Sequence, residues 1–141
     1  MAEHGENARI AMTIFEAWND RDYDRALAIL GDDFQVTEVA TGETFKGAAG
    51  LLDEYEKWAT ALSDGRVDVT NVVESGDWVA METVVTGTHD GVFATDDGEI
   101  APSGRRIEFE MCTVACVKDG KEVLERHYFD AESFVRQLRA G

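Results

Sequence analysis

Positive charge is scarce in this chain. Thirteen Lys and Arg stand against 29 Asp and Glu among 141 residues, so the formal charge is 13 − 29 = −16 at pH 7. Nucleic acid and anionic membrane surfaces would be repelled by that excess and are not expected as partners. No run of about 18 apolar residues exists, so no helical membrane span is expected. The opening stretch from Met1 to Asn7 is polar and has no apolar core of a secretory signal, which points to the cytoplasm. Cysteine is limited to Cys112 and Cys116. Four residues apart in one expected strand, they lie roughly 13 Å from each other, beyond disulfide reach. They read as buried thiols of a reducing compartment.

Several site types are missing as well. The chain has no phosphate-cradling glycine loop, no Walker-type lysine, no dinucleotide fingerprint and no Gly-x-Ser-x-Gly elbow. His4, His89 and His127 are far apart and lack metal-ligand spacing, and the acidic residues do not form a calcium loop. No metal is expected. What remains is chemistry by single carboxylates and histidines in an apolar pocket.

What is present is a substantial apolar fraction, 44% of the chain, enough for one domain with a real core. The acidic residues are dispersed, which fits either ordinary solubility or a salt-rich cytoplasm in which ions screen self-repulsion. Helical periodicity places Ile10, Ala11, Ile14, Phe15 and Trp18 on one stripe. A short second helix follows with Tyr23, Ala26, Leu27 and Leu30 inward and Gly31 as its stop. Phe34 to Val39 reads as a strand, and a third helix starts at Gly47 with Leu51, Leu52, Tyr55, Trp58, Ala59 and Leu62 on one side. Strands are then expected over Val67 to Glu74, Trp78 to His89, Arg105 to Val117 and Glu122 to Phe129. A loop from Asp90 to Ser103 holds the only proline, Pro102, and a final helix spans Ala131 to Arg139. Helices first and a meander afterwards indicate an α+β fold, with helices packed on one face of an antiparallel sheet.

Particular segments carry a resemblance. Gly87-Thr88-His89-Asp90-Gly91, Pro102-Ser103-Gly104-Arg105-Arg106-Ile107-Glu108-Phe109, Asp119-Gly120-Lys121 and Tyr128-Phe129-Asp130 resemble the SnoaL-like polyketide cyclase (ester cyclase) family. Gln137-Leu138 fits its terminal helix. The family belongs to the nuclear transport factor 2-like superfamily, and the resemblance covers nearly all of residues 1–141. It implies one cone-shaped domain, a curved antiparallel sheet wrapped around the N-terminal helices and a hydrophobic pocket. It also implies a homodimer through the outer sheet face. The implied reaction is an intramolecular aldol condensation on an apolar small molecule such as a polyketide, without cofactor or metal. Ketosteroid-isomerase-like proton transfer and ligand binding without turnover are the alternatives in the same cone.

The family's Tyr-x-Asp motif puts the proton-accepting aspartate at Asp130. Period-2 alternation places Arg126, Tyr128 and Asp130 on one strand face, while His127 has the opposite parity and faces away. Tyr128 is the candidate donor to an enolate oxygen, and Arg126 a candidate partner of Asp130. Asp130 also directly precedes Ala131-Glu132-Ser133, where it would cap the last helix. His89, beside the long loop, is a candidate at the pocket mouth. Phe34, Trp58, Met81, Phe109, Met111 and Thr113 are expected to line the pocket. Near Thr113 the family often carries an acidic residue or a histidine, and here the side chain is a hydroxyl. Glu108 and Glu110 are read as a solvated outer face, and the parity of Glu82 stays open.

Overall fold

In a computed structural model, residues 4–139 are described. The chain runs α1(Glu6–Asp20), α2(Tyr23–Leu27), β1(Leu30–Glu38), β2(Glu43–Lys46), α3(Gly47–Ala61), β3(Arg66–Ser75), β4(Trp78–Thr88), β5(Phe93–Thr95), β6(Gly98–Ile100), β7(Arg106–Lys118), β8(Lys121–Phe129) and α4(Ala131–Arg139). The main sheet has six strands in the order β2-β1-β8-β7-β4-β3, and β5 with β6 forms a separate hairpin.

The apolar stripe of α1 does what its spacing predicts. Ala11, Ile14, Phe15 and Trp18 are buried against the inner faces of the long strands, including Val79, Met81 and Ala115. The helix ends where Arg21 turns left-handed, at φ 54°, and its guanidinium stacks 3.9 Å from the Trp18 ring centre. The same side chain donates to the carbonyls of Ser63 and Gly65, fastening the end of α1 to the turn after α3.

Three expectations need correction. The second helix stops at Leu27 and does not reach Leu30, because Glu122 N–H donates to the Ile29 carbonyl at 2.8 Å and draws the chain into the sheet. The sheet is antiparallel except for one pair: β1 runs parallel to β8. A crossing connection through α3 and the β3–β4–β7 meander brings these distant strands together, and local turn signals carry no trace of it. Finally, the long loop contains the β5–β6 hairpin, whose Phe93 and Ile100 enter a second apolar cluster with Leu62, Ile107, Phe134 and Leu138. That loop is pinned at its root. Asp90 and Gly91 N–H both donate to the Ala61 carbonyl, and a Cβ on Gly91 would sit 1.7 Å from the Thr60 oxygen. Only glycine allows that approach.

α4 starts on Asp130, whose carboxylate accepts from Ser133 N–H at 3.0 Å. Gln137 then clamps the helix to β7, accepting from Glu108 N–H and donating to the Glu108 carbonyl. Glu108, Glu110 and Glu82 are exposed, as the outer-face reading of the first two requires. Cys112 and Cys116 are both free thiols on β7, the first partly and the second fully buried.

Candidate active site

The sheet and helices enclose a pocket with about 580 Å³ of empty space, part of it open to solvent. Its walls are mostly apolar: Ile14, Phe15 and Trp18 from α1, Trp58 and Leu62 around the end of α3, and Phe109, Met111 and Phe129 from β7 and β8. Besides the Tyr55 phenol, three ionisable side chains share this lining: Glu38, Glu54 and His127. Each is nearly inaccessible to solvent, at 1%, 4% and 6% exposure.

Their meeting follows from topology. In the parallel β1–β8 pair Glu38 lies opposite His127, and in the antiparallel β7–β8 pair Thr113 lies opposite His127. Glu38 continues the inward alternation of Phe34 and Val36 along β1. Glu54 occupies the buried stripe of α3 between Leu51 and Tyr55 on one side and Trp58 on the next turn. Three elements therefore each place one polar group on a face that otherwise packs.

Glu38 is fully engaged. Lys57 Nζ donates to its Oε1 at 2.6 Å, and Trp58 Nε1 donates to its Oε2 at 2.7 Å. Burial raises its pKa, the neighbouring Glu54 carboxyl adds to the rise, and Lys57 opposes both. For Lys57, burial works against the charge, yet Glu38 and Glu43 outweigh it and hold the ammonium more firmly protonated. Glu54 contrasts with Glu38: its buried Oε2 makes no hydrogen bond and lies 3.6 Å from His127 Nε2.

His127 is surrounded by acceptors. Its Nδ1 lies 2.7 Å from Thr113 Oγ1, and its Nε2 faces Glu125 Oε1 at 3.4 Å as well as Glu54. Burial disfavours a charged ring, but Glu54, Glu125 and Glu38 prevail and push its pKa up to about 9. At neutral pH it is an imidazolium, with Nδ1 hydrogen-bonded to the Thr113 hydroxyl and Nε2–H without a close acceptor. The hydroxyl of Tyr55 is spent on the Ile14 carbonyl at 2.9 Å, and burial with the surrounding carboxyls raises its pKa too.

The structure divides the residues expected from sequence. Trp58, Phe109 and Met111 line the pocket. Thr113 is fully buried and stands behind His127, as its hydrogen-bond partner. Phe34 and Met81 are buried in the core and do not reach the pocket lining. The inward assignment of the Arg126, Tyr128 and Asp130 face is corrected: β8 turns Glu125, His127 and Phe129 inward instead. Tyr128 is 42% exposed, the Arg126 guanidinium lies over the Trp78 ring at 5.4 Å, and Asp130 caps α4. The alternation holds, its inner face is set by the packing of α1 and α3, and Asp130 belongs to the helix cap and not to the strand. His89 lies away from the pocket lining. It is fully buried at the loop root, with Ser103 N–H donating to its Nδ1 at 3.2 Å, and burial lowers its pKa. Sequence reasoning passed over Glu38, Glu54, Lys57 and Glu125. The available signal was a carboxylate in phase with an apolar stripe, at Glu38 after Phe34 and Val36 and at Glu54 between Leu51 and Tyr55.

Among the described residues, no group of His, Cys, Asp and Glu has an arrangement able to hold a metal ion, and no helix is long and apolar enough to cross a membrane. The fold recurs in solved structures. A protein assigned to the SnoaL-like polyketide cyclases from Jannaschia sp. CCS1 superposes with a TM-score of 0.86 at 18% identity, covering 100% of this chain and 99% of its own. IdmH from Streptomyces antibioticus, assigned as a polyketide cyclase, gives 0.79 at 23% identity over 95% and 99%. TerC, crystallised with polyporic acid, gives 0.78 at 18% over 96% and 100%. At these identities the likeness establishes a shared fold, the one also called ketosteroid-isomerase-like or NTF2-like. No curated protein matches the sequence. The sequence model of the SnoaL-like polyketide cyclases does match, over residues 8–138. That span runs from the buried stripe of α1 through every strand to the last turn of α4, and the chain belongs to the SnoaL-like polyketide cyclase family.

Proposed function

We propose that the protein is a carbonyl acid–base enzyme working without a cofactor, closing a ring in an apolar polyketide-type substrate by intramolecular aldol condensation. The observation that carries this reading is the set Glu38, Glu54 and His127 on the wall of an otherwise apolar pocket. Family membership supports a polyketide-type ligand, and the co-crystallisation of TerC with polyporic acid supports a small organic molecule in the cone.

The geometry suits a base and an acid side by side. Glu54 Oε2, free of hydrogen bonds, takes a proton from carbon between two carbonyl groups. The resulting enolate oxygen is stabilised by the imidazolium of His127, whose Nε2–H is held only at long range by two carboxylates. The enolate carbon then bonds to a further carbonyl carbon of the same molecule, outside the activated pair, and His127 gives its Nε2 proton to the new alkoxide. The proton on Glu54 returns across 3.6 Å to His127, restoring the starting state. Apolar walls exclude water and strengthen each of these charge interactions. Lys57 and Trp58 keep Glu38 in place beside this pair. A homodimer through the outer sheet face belongs to the same reading, supported by Trp78 and Tyr128, 43% and 42% exposed. Light scattering tests it; a monomer at every concentration removes that part.

The reading is tested with an apolar 1,3-dicarbonyl ester that carries a further ketone within ring-forming reach of the activated carbon, in deuterated buffer, followed by proton NMR. Deuterium incorporation at the activated carbon and ring closure should both accelerate, and His127→Gln should slow them on the order of 100-fold or more. Binding of the ester without accelerated exchange would make the protein a ligand carrier. Exchange without ring closure would make it an isomerase-type proton-transfer enzyme.

A further inference from the structure

We infer that Glu125, backed by Glu122, is a positioning residue that holds His127 as a cation with its Nε2–H directed between Glu125 and Glu54. Glu122 carries the proton that keeps the two inner carboxyls at a single negative charge.

Both side chains are completely buried, and neither lines the pocket. They reach the same interior through a register shift. Cys116 pairs with Leu124 and Val117 with Glu122, so one extra residue of β8 lies between them and turns two glutamates three positions apart inward. No N–H or O–H of another residue satisfies any of their four oxygens. Two ionised carboxylates in that position would face each other with no donor, a state that burial makes very costly. One shared proton resolves it: with Glu122 protonated, Glu125 carries the single charge and faces His127 Nε2 at 3.4 Å, where His127 and Glu122 oppose the rise in pKa that burial gives Glu125. Burial first, and the Glu125 carboxyl second, hold Glu122 well above the ordinary carboxylate range.

The surroundings of His127 support the same assignment from every side. β1 presents Glu38, α3 presents Glu54 with Lys57 beyond Glu38, β7 presents only the Thr113 hydroxyl, and α1 presents the uncharged Phe15 ring. Of the carboxylates, Glu38 is occupied by Lys57 and Trp58, and Glu54 faces the pocket, where a reaction changes its charge. Glu125 alone faces His127 from outside the pocket. It therefore keeps the ring oriented and protonated while Glu54 cycles. The inference rests on the proposed use of His127.

The test needs no substrate, so it stands or falls apart from the catalytic reading. Imidazole nitrogen signals of His127 are followed by NMR against pH in wild type, Glu125→Gln and Glu122→Gln. Glu125→Gln should lower the proton affinity of His127 about tenfold or more. Glu122→Gln replaces a neutral acid by a neutral amide and should change it less than about threefold. An unchanged affinity in Glu125→Gln overturns the inference, and so does an equal fall in both variants. If either variant does not fold, carboxyl carbon signals of the wild-type protein decide at pH 7. One protonated and one ionised inner glutamate is the expected pattern, and two ionised ones would refute it.

Discussion

Raising the pH should destabilise this protein well before ordinary alkaline denaturation, and His127 sets the size of the effect. Its folded pKa of about 9 exceeds the ordinary 6.5 of an unfolded histidine. Between those values the folded state holds a proton that the unfolded state has released, so stability falls as pH rises. The contribution is complete below 6.5 and gone above the folded value. Across 2.5 pH units at about 1.4 kcal/mol each, the loss is roughly 3 kcal/mol. Glu38 and Glu122 act in the same direction, since their raised pKa values mean that the folded state must be forced to ionise as pH climbs past about 4.5. Maximum stability therefore lies in mildly acidic solution. For a domain of this size the His127 part alone corresponds to a fall in Tm on the order of 10 °C. Calorimetry between pH 6 and pH 9.5, roughly bracketing the titration, reads it directly. In His127→Gln the slope over this window should flatten. A wild-type Tm that is constant or rising across the window would refute the reasoning, because it would mean that the ring is not a buried cation.

Gly91→Ala should destabilise the loop root by about 1–3 kcal/mol, since the added Cβ meets the Thr60 carbonyl; an unchanged Tm would show that the loop can move aside. Gln137→Ala leaves the Glu108 N–H and carbonyl without their clamp and should cost about 1 kcal/mol, seen as faster hydrogen exchange in α4. With a net charge of −16, Tm should rise between ~0.1 M and ~1 M salt as repulsion is screened, and a flat response would argue that the dispersed acids repel little.

Much of the architecture was legible because it is written locally. The α1 stripe, the Asp119–Gly120 turn and the bounds of α4 follow from periodicity, turn chemistry and capping. The site was legible only in part because pairing of β1 with β8 is non-local: nothing near Glu38 in sequence announces that it will lie opposite His127. Period-2 alternation separated His127 from Asp130 correctly, but which parity faces inward depends on where α1 and α3 pack. The capping role of Asp130 was visible in Asp130-Ala131-Glu132-Ser133, and the structure realises it. Glu54 lies in phase with the α3 stripe, but its charge sets it apart from the apolar residues that define that stripe in the sequence. Its burial is a sign of chemistry, because a carboxylate is rarely placed there for stability.

Glu54→Gln and Asp130→Asn, measured side by side for deuterium exchange on an apolar 1,3-dicarbonyl ester, separate the two possible bases. Asparagine caps helices about as well as aspartate, so Asp130→Asn should keep its fold. The site described above predicts that Glu54→Gln loses exchange by on the order of 100-fold or more while Asp130→Asn retains it within a few-fold. Loss in Asp130→Asn with activity kept in Glu54→Gln would contradict it and return the proton acceptor to the end of β8.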